Sequence, residues 1–307
     1  MPADPLSRRE PLPWQCPKPP EDDPDARERV EAILASPSYR RADADLDFLA
    51  RNDMRGVRLQ IDYFKPEALF EAHHITDTIV VFGSARLCEP DAAHRKVVSL
   101  KAALAKDAQN HALGRQLAVA ERVLAKSNYY EVARQFTRLV GIANRNANGT
   151  LVIVTGGGPG IMEAANRGAF DVEAKSVGLN ISLPHEQYPN PYVTPDLCFN
   201  FHYFAMRKLH FLLRAKALVA FPGGYGTFDE LFEVLTLIQT RKINPMPVVL
   251  VGESYWRGAV DFGFMAAEGI IDQEDLELFW YAETAEEIWE GILHWYDKTG
   301  EPLLLSG

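Results

Sequence analysis

Apolar residues follow two periods along this chain. Thr78-Ile-Val-Val-Phe82, Leu151-Val-Ile-Val-Thr155, Ser176 to Ile181, Ala217 to Phe221 and Pro247 to Val251 are nearly continuous apolar runs rich in β-branched residues, the pattern of strands buried on both faces. Leu197 to Phe201 is a weaker run of the same kind. Between the runs, apolar positions recur every three or four residues and predict helices. A long helical stretch covers about Asp91 to Asn146, divided in two near Ser127; others start at Ile161 or cover Ala205 to Ala215, Thr227 to Thr240, Tyr255 to Glu268 and Ala285 to Tyr296. Strands alternating with helices predict a mainly parallel, doubly wound α/β sheet with right-handed crossovers and helices on both faces.

The N-terminal quarter differs. Eight prolines among the first 24 residues exclude a regular element and predict a surface-draped tail. From Asp25 to about His74 short helices are expected, with Val30, Ile33 and Leu34 on one face and Leu46, Leu49 and Ala50 on another. The expected organisation is a helical extension over 1–74 and an α/β domain over 75–307. C-terminal helices are expected to carry Trp280, Trp289 and Trp295, placed by default in the core.

Composition narrows the chemistry. A net charge of -10 opposes a surface that neutralises nucleic-acid phosphates, while leaving room for a small anion in a local pocket. No apolar run is long enough to span a bilayer, and three dispersed cysteines, Cys16, Cys88 and Cys198, suit a reducing compartment. A cytoplasmic location with no nucleic-acid or membrane partner is therefore expected. His73-His74 and the Asp43, Asp45, Asp47 series lack completing ligands at a recognised spacing, so no metal is expected.

Three strands end in glycine-bearing turns: Gly83-Ser84, Gly156-Gly-Gly-Pro-Gly160 and Gly223-Gly-Tyr-Gly226. All three belong at the carboxyl edge of a parallel sheet, where ligands bind. The second fails the dinucleotide fingerprint because its third glycine position is Ile161, and no P-loop Gly-Lys-Ser/Thr occurs. Gly157, Gly158 and Gly160 are equally readable as phosphate contacts or as tight strand-to-helix packing. In the third turn, Gly223, Gly224 and Gly226 permit positive φ and close approach of a ligand, and Thr227 is expected to begin a helix whose positive end attracts a phosphate. The plain alternative is a capping box from Thr227 to Glu230. Upstream, Met206-Arg207-Lys208 puts two cations at a helix start, unfavourable unless an anion or Glu230 offsets them.

Pro222-Gly-Gly-Tyr-Gly-Thr227-Phe-Asp-Glu230, with Met206-Arg207-Lys208 and Gly156-Gly-Gly-Pro-Gly-Ile-Met-Glu163 upstream, resembles the LOG ("lonely guy") family of cytokinin riboside 5'-monophosphate phosphoribohydrolases, long labelled as possible lysine decarboxylases. The likeness covers roughly residues 75 to 295 and points to the family's larger bacterial branch. It implies a Rossmann-like, cofactor-free enzyme, a homodimer or higher homo-oligomer. Such an enzyme hydrolyses the N-glycosidic bond of a nucleoside 5'-monophosphate to free base and ribose 5-phosphate. By the same resemblance Arg207 and Glu230 are catalytic, and Gly223, Gly224, Gly226 and Thr227 hold the phosphate. The N-terminal extension and the long insertion between the first two strands depart from the compact plant-type members. AMP or another purine monophosphate is thus as acceptable a substrate as a cytokinin precursor.

Cleavage of such a bond builds positive charge on the ribose. A fixed carboxylate can stabilise that charge and orient water, the role expected of Glu230. Glu233, one turn on, is a candidate for a ribose hydroxyl or an ordinary polar position, and Lys208 faces phosphate or solvent. Gly83 and Ser84 complete the substrate-binding set. Two other readings are weighed. A non-catalytic nucleotide or phosphorylated-cofactor binder on the same fold needs the glycine loop but neither Arg207 nor Glu230. Pyridoxal-phosphate decarboxylation needs a Schiff-base lysine, for which no lysine has a suitable setting.

Overall fold

A computed structural model describes residues 10–147, 149–184 and 188–304; the first nine residues of the proline-rich stretch lie outside them. Backbone contacts divide the chain into Met1–Gln60 and Ile61–Gly307. The first unit holds short 3-10 turns, α1 (Ala26–Ala35), α2 (Leu46–Ala50) and the start of α3 (Arg55–Ala72). The Asp43, Asp45, Asp47 series is occupied by arginines: Arg40 approaches Asp45 at 3.3 Å and Asp47 at 3.6 Å, and Arg41 bonds Asp43.

The second unit is built on strands β1 (Asp77–Phe82), β2 (Leu151–Thr155), β3 (Ser176–Ile181), β4 (Cys198–Phe201), β5 (Ala215–Ala220), β6 (Val248–Val251) and β7 (Trp280–Ala282). They form one all-parallel sheet in the order β4-β3-β2-β1-β5-β6-β7. The order reverses at β1, which pairs with β2 on one side and β5 on the other. Loops leaving β1 and β5 therefore depart to opposite faces and open a crevice at their carboxyl ends.

Between β1 and β2 run α4 (Pro90–Lys106), α5 (His111–Lys126) and α6 (Asn128–Asn146), three helices where two are predicted. The extra break is at Asn110, whose side chain accepts the amides of Ala112 and Leu113, a helix-starting cap. The remaining helices are α7 (Ile161–Phe170), α8 (Phe204–Leu212), α9 (Tyr225–Gln239), α10 (Glu253–Ala259), α11 (Phe262–Ala267) and α12 (Ala285–Thr299). The predicted helix over 255–268 is two, because Asp261 caps α11 by accepting the Phe264 amide. Trp280 lies in β7 rather than in a helix.

Alternate residues of β1 face opposite layers, as a pleated strand buried on both sides requires. Val80 and Phe82 pack with Phe70, Phe211, Leu231 and Trp256; Ile79 and Val81 pack with Tyr130, Phe136, Ile161 and Ile288. Among the described residues no helix is long and apolar enough to cross a membrane.

Candidate functional site

The three glycine turns meet at the β1/β5 crevice and interlock. The Ser84 amide donates to the Pro222 carbonyl at 2.9 Å, and the Ile161 amide donates to the Ser84 carbonyl at 3.2 Å. A Cβ on Gly83 would lie 2.7 Å from Ile161, and one on Gly160 would lie 2.3 Å from the Ser84 carbonyl oxygen. Absent side chains at these two positions let α7 close on the β1 loop.

Beside this junction a cavity of about 670 Å³ is lined by the β1 loop (Gly83 to Leu87), by Phe204 and Arg207 of α8, and by Pro222 to Thr227, Asp229 and Glu230. Lys126, Met162 and Tyr255 complete its wall. Of the residues singled out from the sequence, Gly83, Ser84, Arg207, Gly223, Gly224, Gly226, Thr227 and Glu230 converge here. Gly157, Gly158, Gly160, Lys208 and Glu233 do not line it. Gly157 donates to Thr155 Oγ1 and accepts the Asn190 amide, and the Gly158 carbonyl accepts from Asn190 Nδ2, so the Gly157 amide is already taken by a protein group. Lys208 is paired with Asp229 at 2.7 Å and Glu233 at 3.4 Å on the adjoining surface.

Two sequence expectations are corrected at the third turn. The helix starts at Tyr225 with Gly224 as its cap, and Phe228 donates the first helical bond to the Gly224 carbonyl. Thr227 is thus the third helical residue, which removes the capping-box reading. Nor do Gly223, Gly224 and Gly226 appear among the glycines with positive φ, which are Gly157, Gly160, Gly252, Gly269 and Gly300. Gly223 is small because a Cβ would fall 2.1 Å from Thr227 Oγ1. At Gly224 a Cβ would meet nothing within 4 Å, and at Gly226 only Glu230 Oε2 at 4.0 Å. The folded chain itself does not require glycine at either of these two positions.

The Tyr255 hydroxyl bonds the Gly223 carbonyl. In a planar trans peptide this turns the Gly224 N–H the opposite way. The first amides of α9 have no intrahelical acceptor, so the loop presents donors and a positive helix end at the cavity.

Arg207 and Glu230 form the polar centre. Arg207 Nη1 stands 3.6 Å from Glu230 Oε1, and their side chains are only 12% and 8% exposed. Nε donates to the Leu179 carbonyl at 2.7 Å, and the guanidinium lies over the Phe211 ring. Gly156 makes room for it, since a Cβ there would sit 2.6 Å from Arg207 Nη2. Burial pushes the Glu230 carboxyl up to about 7, against the attraction of Arg207; burial likewise lowers Arg207, against Glu230 and Asp229. Desolvation outweighs mutual attraction for both because the pair is wide. Burying two ions costs on the order of several kcal/mol each, recovered only with close, multiply bonded geometry. The pair is therefore a poor stabilising device and a suitable chemical one: a carboxyl poised near neutrality beside a fixed cation.

Sequence reasoning missed Arg86, Lys126 and Tyr255. Arg86 follows the Gly83-Ser84 turn, and its amide donates to Ser84 Oγ at 3.0 Å; Lys126 ends α5. No local pattern announces that two cations so far apart in sequence share one wall.

Fold and site define a doubly wound α/β domain with an acid–arginine pair beside an anion-attracting helix start. A protein-family model described as "Possible lysine decarboxylase" matches residues 162–292. Cytokinin riboside 5'-monophosphate phosphoribohydrolase LOG3 of Arabidopsis thaliana is 29% identical over 168 residues, 53% of this chain and 74% of the relative. A pyrimidine/purine nucleotide 5'-monophosphate nucleosidase of Escherichia coli K12 is 30% identical over 140 residues, 41% of this chain but 28% of that longer protein. Among solved structures, a Moco carrier protein from Chlamydomonas reinhardtii is 18% identical, covering 73% of this chain and 99% of its own with a TM-score of 0.41. These matches show that the α/β domain is similar to members of the LOG family.

Proposed function

We propose that this protein hydrolyses the N-glycosidic bond of a purine nucleoside 5'-monophosphate, AMP or a cytokinin riboside monophosphate, to free base and ribose 5-phosphate. The observation that carries this reading is the pairing of a buried carboxyl near neutrality with Arg207 at the edge of a loop that offers amides and open space to a ligand. The printed activities of the relatives, a phosphoribohydrolase and a nucleotide nucleosidase, support the same reaction class.

In this reading the 5'-phosphate sits against the amides of Gly224 to Thr227, with Arg86 and Lys126 supplying positive charge. The ribose then lies across the helix start towards Glu230. As the bond to the base lengthens, positive charge grows on the sugar. The Glu230 carboxylate stabilises it and takes a proton from the attacking water; the base leaves with the bonding electrons and is protonated by solvent or a neighbouring donor. Arg207 favours the ionised form of Glu230 and orients it. A homo-oligomer is part of the proposal: Tyr225 at the rim is 97% exposed and Phe204 52%, large aromatics of the kind that subunit contacts cover.

The test is a panel of nucleoside monophosphates incubated with the protein and separated by chromatography. Free base and ribose 5-phosphate in equal amounts support the reading. Tight binding with no base released would identify a nucleotide binder instead.

A further inference from the structure

α8 carries Arg207 and is short, running only from Phe204 to Leu212. Its start is held from outside by Asp62 of α3. Asp62 Oδ2 accepts the His202 amide at 2.9 Å and the Tyr203 amide at 2.8 Å. The carbonyl of Tyr203 in turn accepts the Arg207 amide at 3.2 Å. One residue thus separates the Asp62 carboxylate from the backbone of Arg207.

The far end of α8 is clasped by the same helix. Arg214 donates from both terminal nitrogens to Glu67, at 2.7 and 2.9 Å, and from Nε to the Ile75 carbonyl at 3.2 Å. Such a bidentate pair fixes orientation as well as distance. His210 lies between the two clasps, its ring 5.4 Å from Tyr63 and from Phe201, with Nδ1 3.2 Å from Glu67 Oε1. Phe70 and Pro66 of α3 are buried.

The 3.6 Å gap between Arg207 and Glu230 is bridged by no hydrogen bond, so the spacing is set by where α8 and α9 are held. We propose that Asp62, seconded by Glu67, is a positioning residue that sets the distance of Arg207 from Glu230. The proposal rests on the phosphoribohydrolase reading for its catalytic consequence but not for its geometry.

The geometry has its own readout, the titration of Glu230 followed by NMR of 13C-labelled glutamate carboxyls and assigned with Glu230→Gln. The charges that act on Glu230 are Arg207 and Lys208 from α8 and Asp229 on its own helix; Arg86, Lys126 and Tyr255 share the cavity wall. In Asp62→Ala the start of α8 is released, Arg207 draws away, and the Glu230 midpoint rises by at least about half a pH unit. Losing the Asp62 charge alone would move it the other way, because removing a negative charge favours the carboxylate. Asp62→Asn keeps an acceptor oxygen and should keep the midpoint at or slightly below its original value.

Base release is measured in parallel. Asp62→Ala should lower kcat about tenfold with KM within about twofold, and Asp62→Asn should stay within about twofold of the parent. An unchanged or lowered midpoint in Asp62→Ala overturns the proposal, as does an Asp62→Asn protein as impaired as Asp62→Ala. Should Asp62→Ala not fold, Glu67→Gln, which breaks the bidentate clasp, is read in the same way: a raised midpoint supports the proposal and an unchanged one overturns it. A parent protein that releases no base contradicts the function, while the titration still decides the positioning.

Discussion

Arg207 and Glu230 face each other across 3.6 Å, both largely buried, and Arg207 spends its Nε hydrogen bond on the Leu179 carbonyl rather than on the carboxylate. Attraction without a shared proton leaves Glu230 near the middle of its titration at neutral pH, pushed up to about 7 chiefly by burial.

Two pH dependences follow. If ionised Glu230 does the chemistry, kcat/KM rises through a limb near pH 7, and Arg207→Gln moves that limb upward because the attraction that favours the carboxylate is gone. Stability runs the opposite way. The folded state holds the Glu230 proton more tightly than the unfolded chain, so stabilisation is full below about pH 4.5 and is lost as pH rises through about 7. Glu230→Gln lacks this dependence. Its Tm relative to the parent should therefore climb between pH 5 and pH 8, by the equivalent of about 2 kcal/mol; parallel Tm curves would contradict the raised Glu230.

Gly224 separates the needs of the chain from those of a ligand. Its backbone is extended and a Cβ there would meet nothing, so Gly224→Ala should shift Tm by less than about 2 °C. The same methyl would stand where a phosphate must approach the α9 amides. Nucleotide affinity should fall at least tenfold, about 1.4 kcal/mol, as read by calorimetry; unaltered affinity would remove the loop from the phosphate site.

Arg86 and Lys126 supply cations to the cavity wall. Removing either as alanine should raise KM for a monophosphate about tenfold and leave kcat within about threefold, since a phosphate contact is made equally in ground and transition states. A drop in kcat at constant KM would move that residue from phosphate binding to the chemistry.

Much of this was legible in the sequence because the relevant signals are local. Doubly buried strands announce themselves as apolar runs, and Gly-Gly-Tyr-Gly-Thr followed by Glu230 marks a strand-to-helix turn. β7 was missed because Trp280-Tyr-Ala282 is too short to show a period. The start of α9 was misplaced because Thr227 is a better cap by residue type than Gly224, and packing of Thr227 against Gly223 overrides that preference. Glycine's role was misjudged for a related reason: composition tells that a side chain is absent, while only the backbone tells whether φ or space requires it. Arg86, Lys126 and the Asp62 clasp join residues distant in sequence, and no periodicity encodes such meetings.

The central claim is that Glu230 performs the glycosidic cleavage. It is tested most directly by incubating AMP with the parent protein and with Glu230→Gln, measuring adenine and ribose 5-phosphate while nucleotide binding is followed separately. The account predicts equal release of both products by the parent, with a loss of about 100-fold or more in Glu230→Gln and AMP affinity kept within about threefold. Base release at the parent rate by Glu230→Gln would contradict it.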